Sequence, residues 1–462
     1  MTGEILKTGT GSASGAQAAA AAPALEKTAA SAEETARAAA LFEASRRLGE
    51  PEWLGRWRQQ ACVAEAATPL PARADHLWRY TDPALFVPET APAAGELGTG
   101  PAVAGGARQG TAHEGSARHG SEPQGSGHQG SAREGTAPRG VFLGDLPAAL
   151  ETRSEALREV FGRLVGPDFG KFEALNGAFF SAGTFLHVPK GLALEQPVHL
   201  RSVVERAGFQ AGRLAVLVEA GASLTLIDEW SGGPESGEAR LFDVVEIVAG
   251  ADSRVHFVTV QNLSPRVKAH LTHRARLGRG ARFVPVLASF GGALTKCDTG
   301  AVLEGEGSES EMTGFLSAVG RQRFDHHTLH HHLGAHTRSN LDFKTVLDGR
   351  ARSAYTGLIR IEPQARYSEA YQENRNLLLS STCRADTIPE LEILTEEVQC
   401  KHGATVGPLD PVQLFYLRSR AIPEAEAVRM IVEGHFESAL QRLPEELQAR
   451  LREILRARLK EI

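Results

Sequence analysis

Two side chains late in the chain are spaced to do chemistry together. Cys400 and His402 stand two residues apart in Val398-Gln399-Cys400-Lys401-His402-Gly403-Ala404-Thr405-Val406-Gly407. In an extended segment, residues i and i+2 share a face, so thiol and imidazole would project side by side. A soft sulfur beside an imidazole suits zinc, copper or an iron–sulfur species better than magnesium or calcium. Two ligands do not complete a metal site. The rest must come from elsewhere in the fold or from another chain.

A second concentration is Asp325-His326-His327-Thr328-Leu329-His330-His331-His332, with His336 beyond it. On a strand, His326, Thr328, His330 and His332 share one face, and His327, Leu329, His331 and Leu333 the other. Same-face neighbours lie about 6.5–7 Å apart, so these imidazoles do not converge on one ion without a neighbouring strand. The simpler expectation is outward-facing histidines on stacked strands, hydrogen-bonded to one another. Other chemistry is missing: there is no GxxxxGK[ST] phosphate loop, no GxSxG and no HExxH. Cys62, Cys297, Cys383 and Cys400 are too few and too scattered for a disulfide framework. They contain no CxxC pair and fit a reducing compartment.

The elements that must position Cys400 and His402 are strands. From about 185 to 393, short β-rich runs follow one another with hardly any helix, as at 214–217, 244–248, 255–260, 283–287 and 343–347. Turn residues separate them: Ala220-Gly221-Ala222, Gly250-Ala251-Asp252, Gly278-Arg279-Gly280 and Gly305-Glu306-Gly307. Their centres recur about every 27–30 residues, which predicts a stacked β-solenoid. A β-sandwich would also give short strands and turns, but would not require this spacing.

On this reading residues 1–30, rich in Ala, Gly, Ser and Thr, form a disordered terminus. Residues 31–178 form an N-terminal helical domain, with Leu41, Phe42, Leu48, Trp53 and Trp57 at helical spacing. A flexible insertion at 91–140 interrupts it: from Gly110, six pentads each open with Gly and carry His113, His119 and His128 in a solvated linker. The β-core spans 179–409, and 410–462 is helical again. There Ala427, Val428, Ile431, Phe436 and Leu440 make one apolar stripe, and Leu447, Leu451, Ile454 and Leu455 another. Such helices could cap the solenoid's open end or offer a docking surface. The net charge of −6 gives no general attraction to nucleic acid or anionic membrane. No window approaches the roughly 18 apolar residues of a membrane helix, and no signal peptide is evident, so a cytoplasmic location is expected.

Several motifs, in order and spanning most of 69–440, resemble the SufB/SufD family of iron–sulfur cluster assembly proteins. They are Leu77-Trp78-Arg79-Tyr80-Thr81, Lys171-Phe172-Glu173-Ala174-Leu175-Asn176, His187-Val188-Pro189-Lys190-Gly191 and Pro389-Glu390-Leu391-Glu392-Ile393. The Cys400–Gly407 stretch and Phe415-Tyr416-Leu417-Arg418-Ser419-Arg420 continue the series. The versions at Lys401-His402-Gly403-Ala404-Thr405 and at 415–420 are most like SufD, as is the lack of a cysteine near Asn374.

The resemblance implies a right-handed parallel β-helix flanked by helical domains. It implies a non-catalytic scaffold that pairs with a SufB-like paralogue, with a homodimer as the form in isolation. A SufC-like ABC ATPase would dock on residues 411–462 and hydrolyse ATP. His402, with Cys400 beside it, would meet a transient iron–sulfur cluster shared with SufB, and reduced flavin is a candidate cofactor of the complex. Two alternatives stand beside this. One is a SufB-type paralogue with its own chemistry at Cys383 or Cys400. The other is a β-helix enzyme, an acyltransferase or polysaccharide lyase, although regular hexapeptide repeats are not seen.

Overall fold

The computed structural model describes residues 31–90, 92–93, 109–111, 140–441, 443 and 445–459. Residues 1–30 and most of the pentad stretch, with His113, His119 and His128, lie outside the described residues.

The described strands form two nine-stranded sheets. The first contains, in spatial order, β1 (Gln109–Thr111), β4 (Val198–Val204), β6 (Ser223–Gly232), β8 (Arg254–Leu263), β10 (Arg282–Ser289), β12 (Glu309–Ala318), β14 (Arg338–Leu347), β16 (Glu369–Leu378) and β18 (Gln399–Pro408). The second contains β2 (Phe142–Asp145), β3 (Ala182–Val188), β5 (Gly208–Val218), β7 (Ala239–Ala249), β9 (Val267–Leu277), β11 (Leu294–Leu303), β13 (Arg323–His332), β15 (Arg352–Ile361) and β17 (Arg384–Ile393). From β3 onward, successive strands alternate between the sheets. All neighbours pair in parallel except β1 on β4 and β2 on β3, which are antiparallel. The product is a mainly β, parallel β-solenoid, as the repeat predicts. One feature differs from the reading: Gln109–Thr111, inside the stretch read as a flexible insertion, is a strand on β4.

The repeat is visible in the sequence because the corners stack backbone on backbone. A Cβ on Gly250 would lie 2.7 Å from the Ala220 nitrogen, and one on Gly278 2.9 Å from that of Ala251. On Gly305 it would lie 2.0 Å from the Arg279 nitrogen. No side chain fits at those corners, so glycine recurs once per turn. Between corners, alternate residues fill the lumen. Leu224, Val255, Phe257 and Phe283 pack there with Leu214, Val216 and Val245 from the facing sheet.

Each outer face carries a helical module. On the second sheet sit α1 (Ala32–Arg47), α2 (Glu52–Ala67), α3 (Leu146–Thr152), α4 (Ser154–Val160) and α5 (Lys171–Phe179). The α1 helix starts at a Ser31–Glu34 capping box. Polar anchors join module to sheet. Glu246 of β7 accepts from the backbone N–H groups of Gly162, Leu164 and Val165 and pairs with Arg213 at 2.9 Å. Trp78 stacks on His270, and Thr81 donates to Asp325. These contacts give the Leu77–Thr81 motif its structural role.

On the first sheet lie α7 (Glu424–Leu440) and α8 (Glu445–Leu459). Val432, Phe436, Leu451 and Leu455 meet Val258, Val260, Phe315 and Val346. Arg450 of α8 also pairs with Glu229 of β6, which His199 joins at 3.1 Å. These helices lie along a sheet face and not across the solenoid's end. The preceding helix α6 (Pro411–Ser419) has no buried residue, and Val412, Phe415 and Tyr416 are 71%, 72% and 56% exposed. Of the two expectations for this segment, capping the end is therefore not what the helices do.

Candidate functional site

β18 pairs with β16 without interruption, from Glu369 opposite Gln399 to Leu378 opposite Pro408. On β16 the side chains of Ala370, Gln372, Asn374 and Asn376 are buried in the lumen. Their partners Cys400, His402, Ala404 and Val406 therefore face the same way, one turn further out, where the lumen opens. Cys400 and His402 do share a face. The thiol packs half-buried against the last core layer, and the imidazole is exposed.

Both sheets end at this mouth. β18 is the terminal strand of the first and β17 of the second, and no described strand pairs with either outer edge. The Gln399 N–H donates to the carbonyl of Ser368, which directly precedes β16. By alternation, the N–H and C=O groups of Cys400, His402, Ala404 and Val406 point to the open side. Two unpaired edges around a ring of half-exposed groups make a template for another chain's strands. Leu394 and Val406, at 51% and 45% exposure, add apolar surface beside it.

Burial raises the Cys400 thiol above its ordinary value, against an opposing contact from the Ala370 backbone. The thiol is therefore a poor source of thiolate in the chain alone. The other cysteines are more enclosed. Burial pushes Cys297 up to about 12 and also raises Cys62. The buried Cys383 donates to the Ser380 carbonyl at 2.9 Å. Among the described residues, no three His, Cys, Asp or Glu side chains are grouped to hold a metal ion. Cys400 and His402 thus remain two donors on one strand.

Gln372 was not evident from the sequence. It lies under His402 in register, fully buried, and neither its amide oxygen nor its amide nitrogen has a hydrogen-bond partner among the described residues. The repeat length could have found it, since residue 372 is one 30-residue turn before 402.

The histidine tract alternates as a strand must, but the expectation that it faces outward is corrected. His326, His330 and His332 point into the lumen, where hydroxyls of the facing sheet receive them. His326 meets Ser289 at 2.9 Å, His330 meets Ser310 at 3.0 Å, and His332 meets Thr337 and Ser339 at 2.7 and 2.9 Å. Burial pushes all three down to about 3, so they are neutral ties across the lumen. Outside, His327 stands 2.9 Å from Asp325 under the N-terminal module, and His331 2.9 Å from Glu362. The histidines pair with hydroxyls and carboxylates, not with one another.

A groove of about 440 Å³ on the first sheet is lined by Arg282, Glu309, Glu311, Arg338, Glu369 and Lys401. Its carboxylates are engaged by arginine: Arg282 holds Glu309 at 2.9 Å and Glu311 at 3.5 Å, and Arg338 holds Glu369 at 3.5 Å. That arrangement leaves no free carboxylate pair for acid–base work. No described helix is long and apolar enough to cross a membrane.

Comparison with known proteins agrees with this geometry. Residues 201–435 match the family described as "SUF system FeS cluster assembly, SufBD core domain". Residues 125–200 match "SufBD protein N-terminal region", which therefore begins within the glycine pentads, not beyond them. The chain is similar to an iron–sulfur cluster assembly SufBD family protein of Staphylococcus epidermidis, 29% identical over 318 residues, 68% of each chain. Family proteins of Staphylococcus saprophyticus and Staphylococcus aureus are 29% identical over the same shares.

Proposed function

This chain belongs to the SufBD family of iron–sulfur cluster assembly proteins, and on that premise we propose that it is a SufD-type, non-catalytic scaffold subunit whose solenoid mouth forms half of a cluster-forming interface. The observation that carries this reading is the place of His402. It is an exposed imidazole on the last described strand of the solenoid, beside two edges that no described strand pairs with and without enough ligands among the described residues to hold metal alone. A SufB-like paralogue would add its strands to β17 and β18 and bring the missing ligands to the shared mouth. The nascent cluster is then cargo held between chains, with His402 as this subunit's ligand and Cys400 packed behind it.

The cysteine chemistry belongs on the partner. Cys383 is buried and hydrogen-bonded to a carbonyl, and burial keeps Cys400 protonated, which disfavours a SufB-type role here. The exposed apolar side of α6 suits docking of a SufC-like ATPase, whose ATP-driven movement would be passed to the solenoid through the terminal helices. The assembly would work in the cytoplasm, with reduced flavin as its electron source.

Complementation tests the reading. In cells that depend on this protein, His402→Ala should leave the subunit folded and bound to its ATPase partner while iron–sulfur enzymes lose activity. Normal enzyme activity with that variant would sink the assignment.

A further inference from the structure

At the corner where β13 and β15 begin, one rung in from β17, four arginines gather without a counter-ion among the described residues. Arg321, Arg323, Arg350 and Arg352, with Thr382, line a concavity of about 390 Å³. Arg323 and Arg352 are register partners on neighbouring parallel strands, about 4.8 Å apart along the backbone. Like charges in that relation destabilise a sheet unless something neutralises them. Among the described residues no carboxylate makes an ion pair with any of the four.

The neighbouring rungs show why. Arg384 of β17, next in register, is held by Asp386 two residues on, at 2.6 and 2.8 Å. The equivalent position after Arg352 is Ala354. After Arg323 it is Asp325, already engaged by Lys296, His327 and Thr81. Along the opposite corner, from β10 to β16, Arg282, Glu309, Arg338 and Glu369 alternate on successive turns and pair as Arg282–Glu309 and Arg338–Glu369.

The frame beneath the quartet is fixed. Gln322, between two of the arginines, donates to the Gly292 carbonyl at 3.0 Å and accepts from the Val319 N–H at 2.9 Å. The Thr382 hydroxyl donates to the Gly349 carbonyl on the rim. Guanidinium forks match phosphoryl oxygens in pairs. A concavity of this volume, rimmed by exposed arginine side chains on a fixed frame, is the size of a small-ligand site and not of a strip for a peptide. We propose that the Arg321–Arg323–Arg350–Arg352 corner binds a small polyanion carrying two or more linked phosphoryl groups. This site contains neither Cys400 nor His402 and does not depend on the reading of His402.

Titration calorimetry of the full chain with inorganic tripolyphosphate tests it, with penta-glutamate as the competing acidic peptide. Wild-type protein should bind tripolyphosphate saturably at one site, more weakly as salt rises. Arg323→Gln/Arg352→Gln should weaken binding at least about tenfold. Arg321→Gln/Arg350→Gln, which changes only the turns, gives a second measure should the first variant fold poorly. Arg279→Gln, at another corner, should change nothing. Three results would overturn the proposal: no saturable binding by wild type, equal binding by a well-folded quartet variant, or tighter binding of penta-glutamate.

Discussion

Val406→Pro should separate folding from assembly. Val406 lies on β18 opposite Asn376, and its N–H points to the open side, away from β16. Proline there removes no bond of the solenoid's own ladder, and Thr405 before it is already extended, as a pre-proline residue must be. The monomer should lose less than about 1 kcal/mol, mostly from reduced side-chain packing at a position already 45% exposed. The effect on a partner strand is larger. One inter-chain hydrogen bond is lost outright, and the ring holds the adjacent backbone too far away for one or two more. At about 1 kcal/mol net per bond, the loss is roughly 2–3 kcal/mol, or about 30- to 150-fold in affinity. Sedimentation or calorimetry of the purified chain with the proposed SufB-like partner would measure this, with a thermal melt as the control. Unchanged affinity in a variant that melts like wild type would refute pairing through the β18 edge.

Other outcomes follow from the same geometry. Glu246→Ala strands the buried Arg213 guanidinium and three backbone donors, and should cost about 3–5 kcal/mol in denaturant unfolding. Acid should unfold the protein early. His326, His330 and His332, at about 3, and His435, which burial pushes down to about 4, bind protons more weakly folded than unfolded. Stability should therefore fall with pH below about 6.5, by up to about 1.4 kcal/mol per unit for each histidine, until the folded values are reached. A flat denaturant midpoint between pH 7 and 5 would contradict their burial. Phe415→Ser on α6 should leave the melting temperature unchanged and abolish co-purification of the proposed SufC-like ATPase, since the side chain is 72% exposed in the chain alone.

Much of this architecture can be read from the chain because its causes are local. Gly250, Gly278 and Gly305 mark the turns, since a Cβ at each would collide with the backbone of the turn below. The Cys400–His402 face follows from strand alternation alone. What could not be read depends on stacking. Whether His326 points inward turns on the facing sheet, whose Ser289 receives it. Gln372 and the arginine corner become neighbours only when residues about 30 apart are laid in register. Amphipathic stripes in α7 and α8 show that a face is buried, but not that it lies along the first sheet and leaves the mouth uncovered. The strand at Gln109–Thr111 gave no signal because it has no apolar alternation of its own.

On the proposed function, His402 supplies a ligand to a cluster held at a two-chain mouth. Iron and sulfide bound per complex are measured after anaerobic reconstitution of the chain with the proposed SufB-like and SufC-like partners. Wild type, Cys400→Ala and His402→Ala would be compared at equal complex formation. A cluster is expected in the first two and its loss in the third, with the heterodimer intact. A His402→Ala complex that holds as much cluster as wild type would contradict it.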